Sequence, residues 1–152
     1  MAISRTIAGY QFDDDPARVD RDVVWRFLST EAYWHRWRSR DDVERQLDSA
    51  WRVVGCYTET GAMVGFARAF SDRVAVAYLA DVFVLPDHRG KGLGTGLVAA
   101  MIEDGPGADF RWLLHTADAH GLYQKFGFTA PDHTVLERPL AMAGRSSPPA
   151  GR

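Results

Sequence analysis

The chain has 152 residues, a formal net charge of −2 at pH 7 and one cysteine, Cys56. So small a charge gives no bulk attraction to nucleic acid or to an anionic membrane, and a single cysteine excludes an intramolecular disulfide and a cysteine metal cluster. No apolar run reaches the roughly 20 residues of a membrane helix, and the N-terminus lacks the apolar core of a signal peptide. We therefore expect a cytoplasmic protein with one domain over residues 1–140 and a disordered, Pro-, Gly- and Ser-rich tail over residues 141–152.

The first third of the chain predicts one strand and two helices. Residues 7–12 have strand-like composition and end at an acidic run from Asp13 to Asp15. We interpret this run as a turn and not as a metal site, since its spacing is not that of a calcium loop. Residues 20–28 place apolar side chains on one helical face, and residues 41–49 do the same after an acidic first turn.

An aromatic and arginine-rich segment, residues 31–40, joins these two helices. It is either a surface segment whose aromatics cover the core or one wall of a substrate pocket, with Tyr33 and Trp34 as the contact residues. Alternating Arg and Trp also suits stacking on single-stranded nucleic acid. The acids that follow at once, Asp41 and Asp42, argue against nucleic-acid binding.

Three strands come next, over residues 52–58, 62–70 and 74–85. Short turns join them, which predicts antiparallel neighbours. The third strand is apolar on both faces, so we expect it to be central in the sheet. Only Asp81 interrupts that strand, and burial of a carboxylate is costly unless it is paired or faces a cleft.

A glycine-rich turn follows the central strand, in the run Arg89-Gly90-Lys91-Gly92-Leu93-Gly94-Thr95. Apolar residues then recur at helical spacing, which predicts a helix over about residues 92–104. The first turn of a helix has unpaired N–H groups and a positive dipole end, and glycines leave those amides open to a ligand. The turn therefore predicts a phosphate or diphosphate site, although a glycine-rich turn without a ligand would have the same pattern.

The rest of the chain predicts a strand over residues 111–115, a short helix over 119–125 and a last strand over 134–140. The succession of strand, helix and strand implies that strand 111–115 lies parallel to the central strand. Asp118 stands just before the short helix, where we expect it to cap the first turn. Cys56 lies in an apolar strand and is expected in the core.

Two known nucleotide motifs do not fit the glycine turn. It lacks the Gly-Lys-Ser/Thr order of a P-loop, and Thr95 stands where a dinucleotide fingerprint needs glycine. What remains is Arg89-x-x-Gly92-x-Gly94 after a strand that ends in Val-x-Pro, followed downstream by Leu122-Tyr123-Gln124-Lys125-Phe126-Gly127-Phe128. These two motifs, in this order, resemble those of the GNAT superfamily, the acyl-CoA-dependent N-acetyltransferases, over about residues 53–128.

The resemblance implies a mixed α/β (α+β) fold, in which a mostly antiparallel sheet carries helices on both faces and one parallel strand pair splays apart. Acetyl-CoA is then the expected co-substrate, with its pantetheine arm along the backbone of Val82, Phe83 and Val84. Its diphosphate is expected on the glycine turn, whose residues are Arg89, Gly90, Lys91, Gly92, Leu93, Gly94 and Thr95. Many family members have an asparagine at the start of the tyrosine-bearing helix, and this chain has Thr116 there instead.

The resemblance also indicates which residues carry the chemistry. Tyr123 stands at the position of the family's general acid, which protonates the leaving thiolate; the alternative is an aromatic packing residue. Asp81 is either the general base, with a pKa raised by burial, or a strand-bulge aspartate that holds a backbone N–H or an arginine such as Arg68. His115, which ends the parallel strand, is a second candidate base and a candidate substrate contact, and His120 is a further candidate base. Since no histidine pair has metal spacing, no metal is expected.

The resemblance therefore implies an enzyme that transfers an acetyl group from acetyl-CoA to a primary amine of a small molecule or peptide. We expect direct attack in a ternary complex, because Cys56 lies far from both motifs in the sequence and so does not suggest an acyl-enzyme. The sequence determines neither the acceptor amine nor whether the chain forms a homodimer. A non-catalytic acyl-CoA sensor would share the glycine turn and is the alternative function.

Overall fold

The computed structural model describes residues 3–34 and 36–141 of the chain. Its centre is a six-stranded sheet in which the strands follow one another in chain order. Neighbouring strands are antiparallel, except that the last two are parallel. The elements are β1 (Ile3–Ile7), β2 (Tyr10–Asp13), α1 (Arg21–Thr30), α2 (Arg40–Ser49), β3 (Arg52–Tyr57), β4 (Met63–Ser71), β5 (Val76–Val84), α3 (Leu93–Met101), β6 (Arg111–Leu113) and α4 (His120–Gln124).

Helices cover both faces of the sheet. Val53 and Val54 are neighbours in β3 and therefore point to opposite faces. Val53 packs in one apolar cluster with α1 and α2, whereas Val54 packs in a second cluster with α3 and Tyr123. The mixed α/β fold with a mostly antiparallel sheet is thus the predicted one, and β5 lies inside the sheet between β4 and β6 as expected.

Both N-terminal helices begin at side-chain caps. Asp20 accepts a hydrogen bond from the backbone N–H of Val23 at 3.2 Å, which fixes the start of α1. Ser39 and Asp42 form a reciprocal capping box at the start of α2. The predicted helices over residues 20–28 and 41–49 are confirmed, with ends shifted by at most two residues.

The predicted single strand over residues 7–12 is wrong, because the chain reverses within it. Ala8 and Gly9 both have positive φ, 49° and 86°, and they join β1 to β2 as the two central residues of a tight hairpin turn. Such turns need φ > 0 at both central positions, for which Ala is an unusual choice. The sequence therefore carried only half of the usual turn signal.

The predicted last strand over residues 134–140 is also wrong. This stretch is irregular and exposed along its whole length, and the side chain of Leu136 is 93% exposed. A local turn begins it, since Asp132 accepts a hydrogen bond from the backbone N–H of Thr134 at 2.8 Å. β-branched and apolar residues favour a strand only where a neighbour and a core face receive them, and here neither is present among the described residues. Residues 142–152 of the predicted tail lie outside the described residues.

Candidate active site

A gap opens in the sheet where β5 and β6 separate. The two strands pair only at Val76 with Arg111, Ala77 with Trp112 and Tyr78 with Leu113. Beyond Tyr78, β5 continues to Val84 with no strand partner on that side among the described residues. Peptide groups along this free edge of β5 are therefore available to a ligand.

A β-bulge lies in the same stretch of β5. Asp81 has a φ of 54°, and the pairing with β4 shifts register there, so that Asp81 and Val82 together face Ala67. A bulge bends its strand and re-aims a side chain. The position also suits aspartate, which tolerates the left-handed conformation better than most residues.

The carboxylate of Asp81 is buried in a cluster of four hydrogen-bond donors. Arg38 donates through both terminal nitrogens, at 2.8 Å to Oδ2 and 2.9 Å to Oδ1. Arg68 donates from Nε to Oδ2 at 2.7 Å, and Trp34 donates from Nε1 to Oδ1 at 2.7 Å. Burial alone would raise the pKa of Asp81, but the two guanidinium groups outweigh it and hold the pKa well below its usual range.

This arrangement is the alternative that the sequence left open for Asp81, a bulge aspartate held by Arg68. A carboxylate with a lowered pKa and four donors is a poor proton acceptor near neutral pH. The contacts therefore argue against the general-base role and for a structural one. Arg38 was not singled out in the sequence, where it is one of several arginines in the segment before α2.

A pocket of about 410 Å³ occupies the gap between the separated strands. It brings together residues from several parts of the chain, including both candidate substrate residues of segment 31–40 and the two candidate catalytic residues. Its walls are mainly apolar and aromatic. The lining residues include Tyr33, Trp34, Trp37, Gln46, Arg68, Phe70, Tyr78, Asp81, Val82, Leu114, His115, Thr116, Asp118, Tyr123 and Leu140.

Tyr123 is buried beside this pocket, on α4. Burial raises the pKa of its hydroxyl to about 12, with smaller contributions from Tyr33 and Asp118. The hydroxyl has no hydrogen-bond partner within the described part of the chain. The ring packs edge-on against Phe128, at 5.8 Å between centroids. The hydroxyl is therefore a protonated donor at neutral pH, held on the pocket wall.

His115 lies two residues beyond the end of β6 and not in the strand as predicted, and both of its ring nitrogens have contacts. Nδ1 contacts the hydroxyl of Tyr78, and Nε2 contacts the carboxylate of Glu137. A carboxylate at Nε2 favours the tautomer that carries its proton there, which leaves Nδ1 as an acceptor. Neither Tyr78 nor Glu137 was identified from the sequence. Glu137 could not have been, because it lies 22 positions from His115 and no local pattern links the two residues.

The start of α4 differs from the sequence prediction. Asp118 does not cap this helix, because the capping residue is Ala119 and the backbone N–H of Ala119 bonds to Thr116 Oγ1 at 3.1 Å. Asp118 instead accepts a hydrogen bond from the hydroxyl of Tyr33 at 3.3 Å. That same hydroxyl receives the backbone N–H of Ala117 at 3.2 Å. These hydrogen bonds link the segment before α2 to the residues just before α4.

The glycine turn forms a second cavity, of about 330 Å³, at the N-terminus of α3. Gly90 and Gly92 have φ values of 80° and 79°, and a Cβ at either would meet no protein atom within 4 Å. Glycine is required here by backbone conformation, and the space beside it is open. The cavity is lined by Val84, His88, Arg89, Gly90, Gly92, Leu93, Gly94, Thr95, Leu122 and Lys125.

Two cations border this turn, as its sequence suggested. Arg89 is an exposed residue, and its Nε donates to the backbone carbonyl of Val84 at 3.0 Å. Lys91 reaches the hydroxyl of Tyr10 at 3.3 Å, and that hydroxyl also contacts His88 at 2.8 Å. Open amides at a helix N-terminus with two cations beside them fit a diphosphate.

Other sequence expectations concern residues outside these two cavities. Cys56 is fully buried, and burial raises the pKa of its thiol to about 12, so it is an inert core residue. The arginines of residues 38–45 form ion pairs with acids, which argues against nucleic-acid binding through them. Within the described ranges, no group of three or more His, Cys, Asp or Glu side chains could hold a metal ion. No helix in those ranges combines the length and apolarity needed to cross a membrane.

Except for Leu140, the residues that line these two cavities lie within the part of the chain that matches a known family. Residues 18–128 match the model of the acetyltransferase (GNAT) family. The chain belongs to the GNAT acetyltransferase family. The sequence resemblance to this family is therefore confirmed.

Two solved structures share most of the fold. A protein of Xanthomonas campestris pv. campestris, named as an acetyltransferase of the GNAT family, is 34% identical, with a TM-score of 0.79 over 89% of this chain and 96% of that one. A protein of Deinococcus radiodurans R1 named as an acetyltransferase is 25% identical, with a TM-score of 0.67 over 90% and 94% of the two chains. A further relative of that name, from Gibberella zeae, is 29% identical over 81% of this chain and 75% of its own length.

Proposed function

We propose that this GNAT protein transfers the acetyl group of acetyl-CoA to a primary amine of a small molecule or peptide, by direct attack in a ternary complex. One observation carries the proposal: the buried hydroxyl of Tyr123 lines an aromatic pocket that adjoins the glycine-turn cavity. The two cavities have neighbouring walls, because Val82 and Tyr123 line the first while Val84 and Leu122 line the second. A ligand along β5 can therefore extend from one to the other.

Acetyl-CoA fits the second cavity and the free edge of β5. The amides of the turn from Gly90 to Thr95 would bind its diphosphate, with Arg89 and Lys91 beside it. Peptide groups of Val82, Phe83 and Val84 would pair with the amides of its pantetheine arm, because this edge has no strand partner among the described residues. The thioester would then lie near the bulge, next to Tyr123.

Acetyl transfer requires two proton movements. The neutral amine nitrogen attacks the thioester carbonyl carbon, a C–N bond forms, and the C–S bond breaks as the tetrahedral intermediate collapses. Sulfur leaves as a thiolate and takes the hydroxyl proton of Tyr123, while the nitrogen loses one proton to a base. Burial raises the pKa of the Tyr123 hydroxyl to about 12, above the ~8.5 of a model thiol. The same burial would raise the pKa of the leaving thiol, because a dry pocket disfavours the thiolate, and so would bring the pKa values of the two groups closer together.

His115 is the proposed base, and Asp81 is the positioning residue. Supplying a neutral amine from a lysine-like ammonium at pH 7 costs roughly 4.6 kcal/mol, so a base or a water relay helps. Tyr78 lines the pocket and its hydroxyl contacts Nδ1 of His115, so the amine proton would pass to Nδ1 through this hydroxyl, and Glu137 would stabilise the imidazolium that forms. Asp81 would hold the bulge and the pocket wall in place.

The decisive experiment combines binding and turnover on the full chain. Calorimetry with acetyl-CoA tests the second cavity, and thiol release tests turnover across amines, amino acids, polyamines, aminoglycosides and peptides. We expect binding and amine-stimulated release, with one acetylated product per thiol. Binding without release across this panel would instead favour the sensor, which shares the glycine turn but needs neither Tyr123 nor the aromatic pocket.

A further inference from the structure

Of the three guanidinium nitrogens of Arg68, only Nε donates a hydrogen bond within the described part of the chain. Arg68 lies in β4, and its side chain is 8% exposed. Its Nε donates to Asp81 Oδ2 at 2.7 Å, while its two terminal nitrogens contact no acceptor in the described part of the chain. These nitrogens are not sealed from solvent, and the side chain lines the 410 Å³ pocket.

Asp81 has little capacity left to satisfy these donors. Its two oxygens already receive both terminal nitrogens of Arg38, the Nε of Arg68 and the indole of Trp34. The ion-paired groups of the cluster are two guanidiniums and one carboxylate, so the pairing leaves one positive charge in excess. A guanidinium that is almost wholly buried is costly unless its N–H groups find acceptors. A ligand bound in the pocket can supply such acceptors.

We infer that the acceptor amine carries an anionic oxygen group, a carboxylate or a phosphate, which binds the terminal nitrogens of Arg68. Arginine presents two parallel N–H groups that match the two oxygens of such an anion. The aromatic walls at Tyr33, Phe70 and Tyr78 suit an apolar body between the anion and the amine. This substrate class rests on the proposed function, because it deepens the acceptor side of the same reaction.

Among the described residues, the acids near the pocket other than Asp81 form no ion pair with Arg68. Asp118 lines the pocket and keeps its negative charge, since its partner is the neutral hydroxyl of Tyr33. Glu137 is engaged by His115. Both carboxylates thus contact residues of other segments, whereas the terminal nitrogens of Arg68 make no hydrogen bond among the described residues.

Matched acceptor pairs test the inference on the unmodified protein. Phenylalanine is compared with phenylalaninamide and phenethylamine, and phosphoethanolamine with ethanolamine, each as kcat/KM corrected for the neutral fraction of the amine. We expect the anionic member of at least one set to be preferred by about tenfold or more, as for a charge-assisted hydrogen bond. Equal or better use of the neutral members in both sets would overturn the inference, whereas the choice between carboxylate and phosphate is read from which set responds.

The variant Arg68→Lys separates recognition of the anion from the structural role of Arg68. Lysine can still pair with Asp81, but it lacks the two parallel N–H groups of a guanidinium. We expect the anionic-to-neutral preference to fall about tenfold, because the anionic acceptor loses more activity than the neutral one. Arg52→Lys is the control, since Arg52 is a buried, ion-paired arginine of β3 that does not line the pocket. An equal loss for both acceptors would assign Arg68 to structure alone and overturn the inference.

Failure of the proposed function would look different. In that case no amine is acetylated although acetyl-CoA binds. The inference is then decided by calorimetry of phenylalanine against phenylalaninamide, and of phosphoethanolamine against ethanolamine, on the CoA-saturated protein. Tighter binding of the anionic member would support it, and equal binding or none in both sets would overturn it.

Discussion

Trp34 and Asp81 are joined by a hydrogen bond of 2.7 Å from the indole Nε1 to Oδ1. It ties the segment between α1 and α2 to the bulge of β5. The same segment contributes Arg38 to the carboxylate and Tyr33 to Asp118, so one loop is fastened to both sides of the pocket. These hydrogen bonds therefore hold the aromatic side chains of this segment in place beside the pocket.

Replacement of Trp34 by phenylalanine should remove the indole donor and keep much of the aromatic packing. We expect a loss of about 1–2 kcal/mol in the free energy of unfolding, because a hydrogen bond to a charged group is lost. KM for the acceptor should rise more than KM for acetyl-CoA. Chemical denaturation and steady-state kinetics measure the two effects. Trp25→Phe is the matched control, since Trp25 is a partly buried tryptophan of α1 outside the pocket.

Asp81→Asn should destabilise the fold strongly while preserving the bulge, since asparagine also tolerates a positive φ. Two buried guanidinium groups lose their carboxylate, and breaking a buried ion pair costs about 3–5 kcal/mol. Urea denaturation measures the change, with Asp109→Asn as an exposed control. A loss below about 1 kcal/mol would contradict the structural role.

The pH dependence of this loss has a defined sign. The pKa of Asp81 is lowered in the folded protein, so its contribution to stability is complete above the pKa of an unfolded aspartate, near ~3.9. It diminishes as pH falls below that value. The stability gap between wild type and Asp81→Asn should therefore stay constant from about pH 5 to about pH 8 and narrow below about pH 4.

Tyr123→Phe should lower kcat by about a hundredfold or more and leave acetyl-CoA affinity unchanged, because only the proton donor is removed. Burial raises the pKa of this hydroxyl to about 12, so the group stays protonated in the free enzyme throughout the usual assay range. The acid role should then cause no decline of kcat/KM below about pH 10. Tyr57→Phe is the control, since the Tyr57 hydroxyl is buried in the core without a hydrogen-bond partner in the described chain. Near wild-type turnover of Tyr123→Phe at every pH would remove the acid role.

His115→Gln should lower kcat about a hundredfold near neutral pH, because the proposed proton acceptor is lost. Glu137→Gln should have a smaller effect, since the imidazole remains and only its carboxylate partner changes. His133→Gln, an exposed histidine outside the pocket, is the control. Stopped-flow and steady-state thiol release measure these rates. Full activity of His115→Gln would reassign proton removal to water.

The pattern of the sequence predicted the parts of the fold that depend on local signals. The helices over residues 20–28 and 41–49, the apolar run of β5 and the glycine turn each follow from a few neighbouring residues. The hairpin at Ala8 escaped because alanine rarely takes a positive φ. The strand predicted over residues 134–140 does not form, because a strand needs a neighbouring strand and the sequence of the segment does not show whether one is present.

The candidate site was predictable only where the side chain itself carries the chemistry. Tyr123 and Asp81 were singled out because of their positions in a motif and in an apolar strand. Which role Asp81 takes depends on Arg38, which lies 43 positions away in sequence. A local pattern contains no information on such long-range pairs, and the same holds for the contact between His115 and Glu137.

The glycine turn offers a test that separates backbone strain from ligand binding. Gly92→Ala places a Cβ at a φ of 79°, where it meets no protein atom within 4 Å but faces the cavity beside α3. We expect a stability loss of about 1–2 kcal/mol from the left-handed backbone and acetyl-CoA affinity weakened about tenfold, because the amides are shielded. Gly61→Ala, in the turn between β3 and β4, has a φ of 90° and equally open surroundings, so it should lose similar stability and no affinity. Calorimetry and thermal denaturation of the two variants measure both quantities. Equal acetyl-CoA affinity in the two proteins would place the diphosphate away from α3, and the assignment of the second cavity would fail with it.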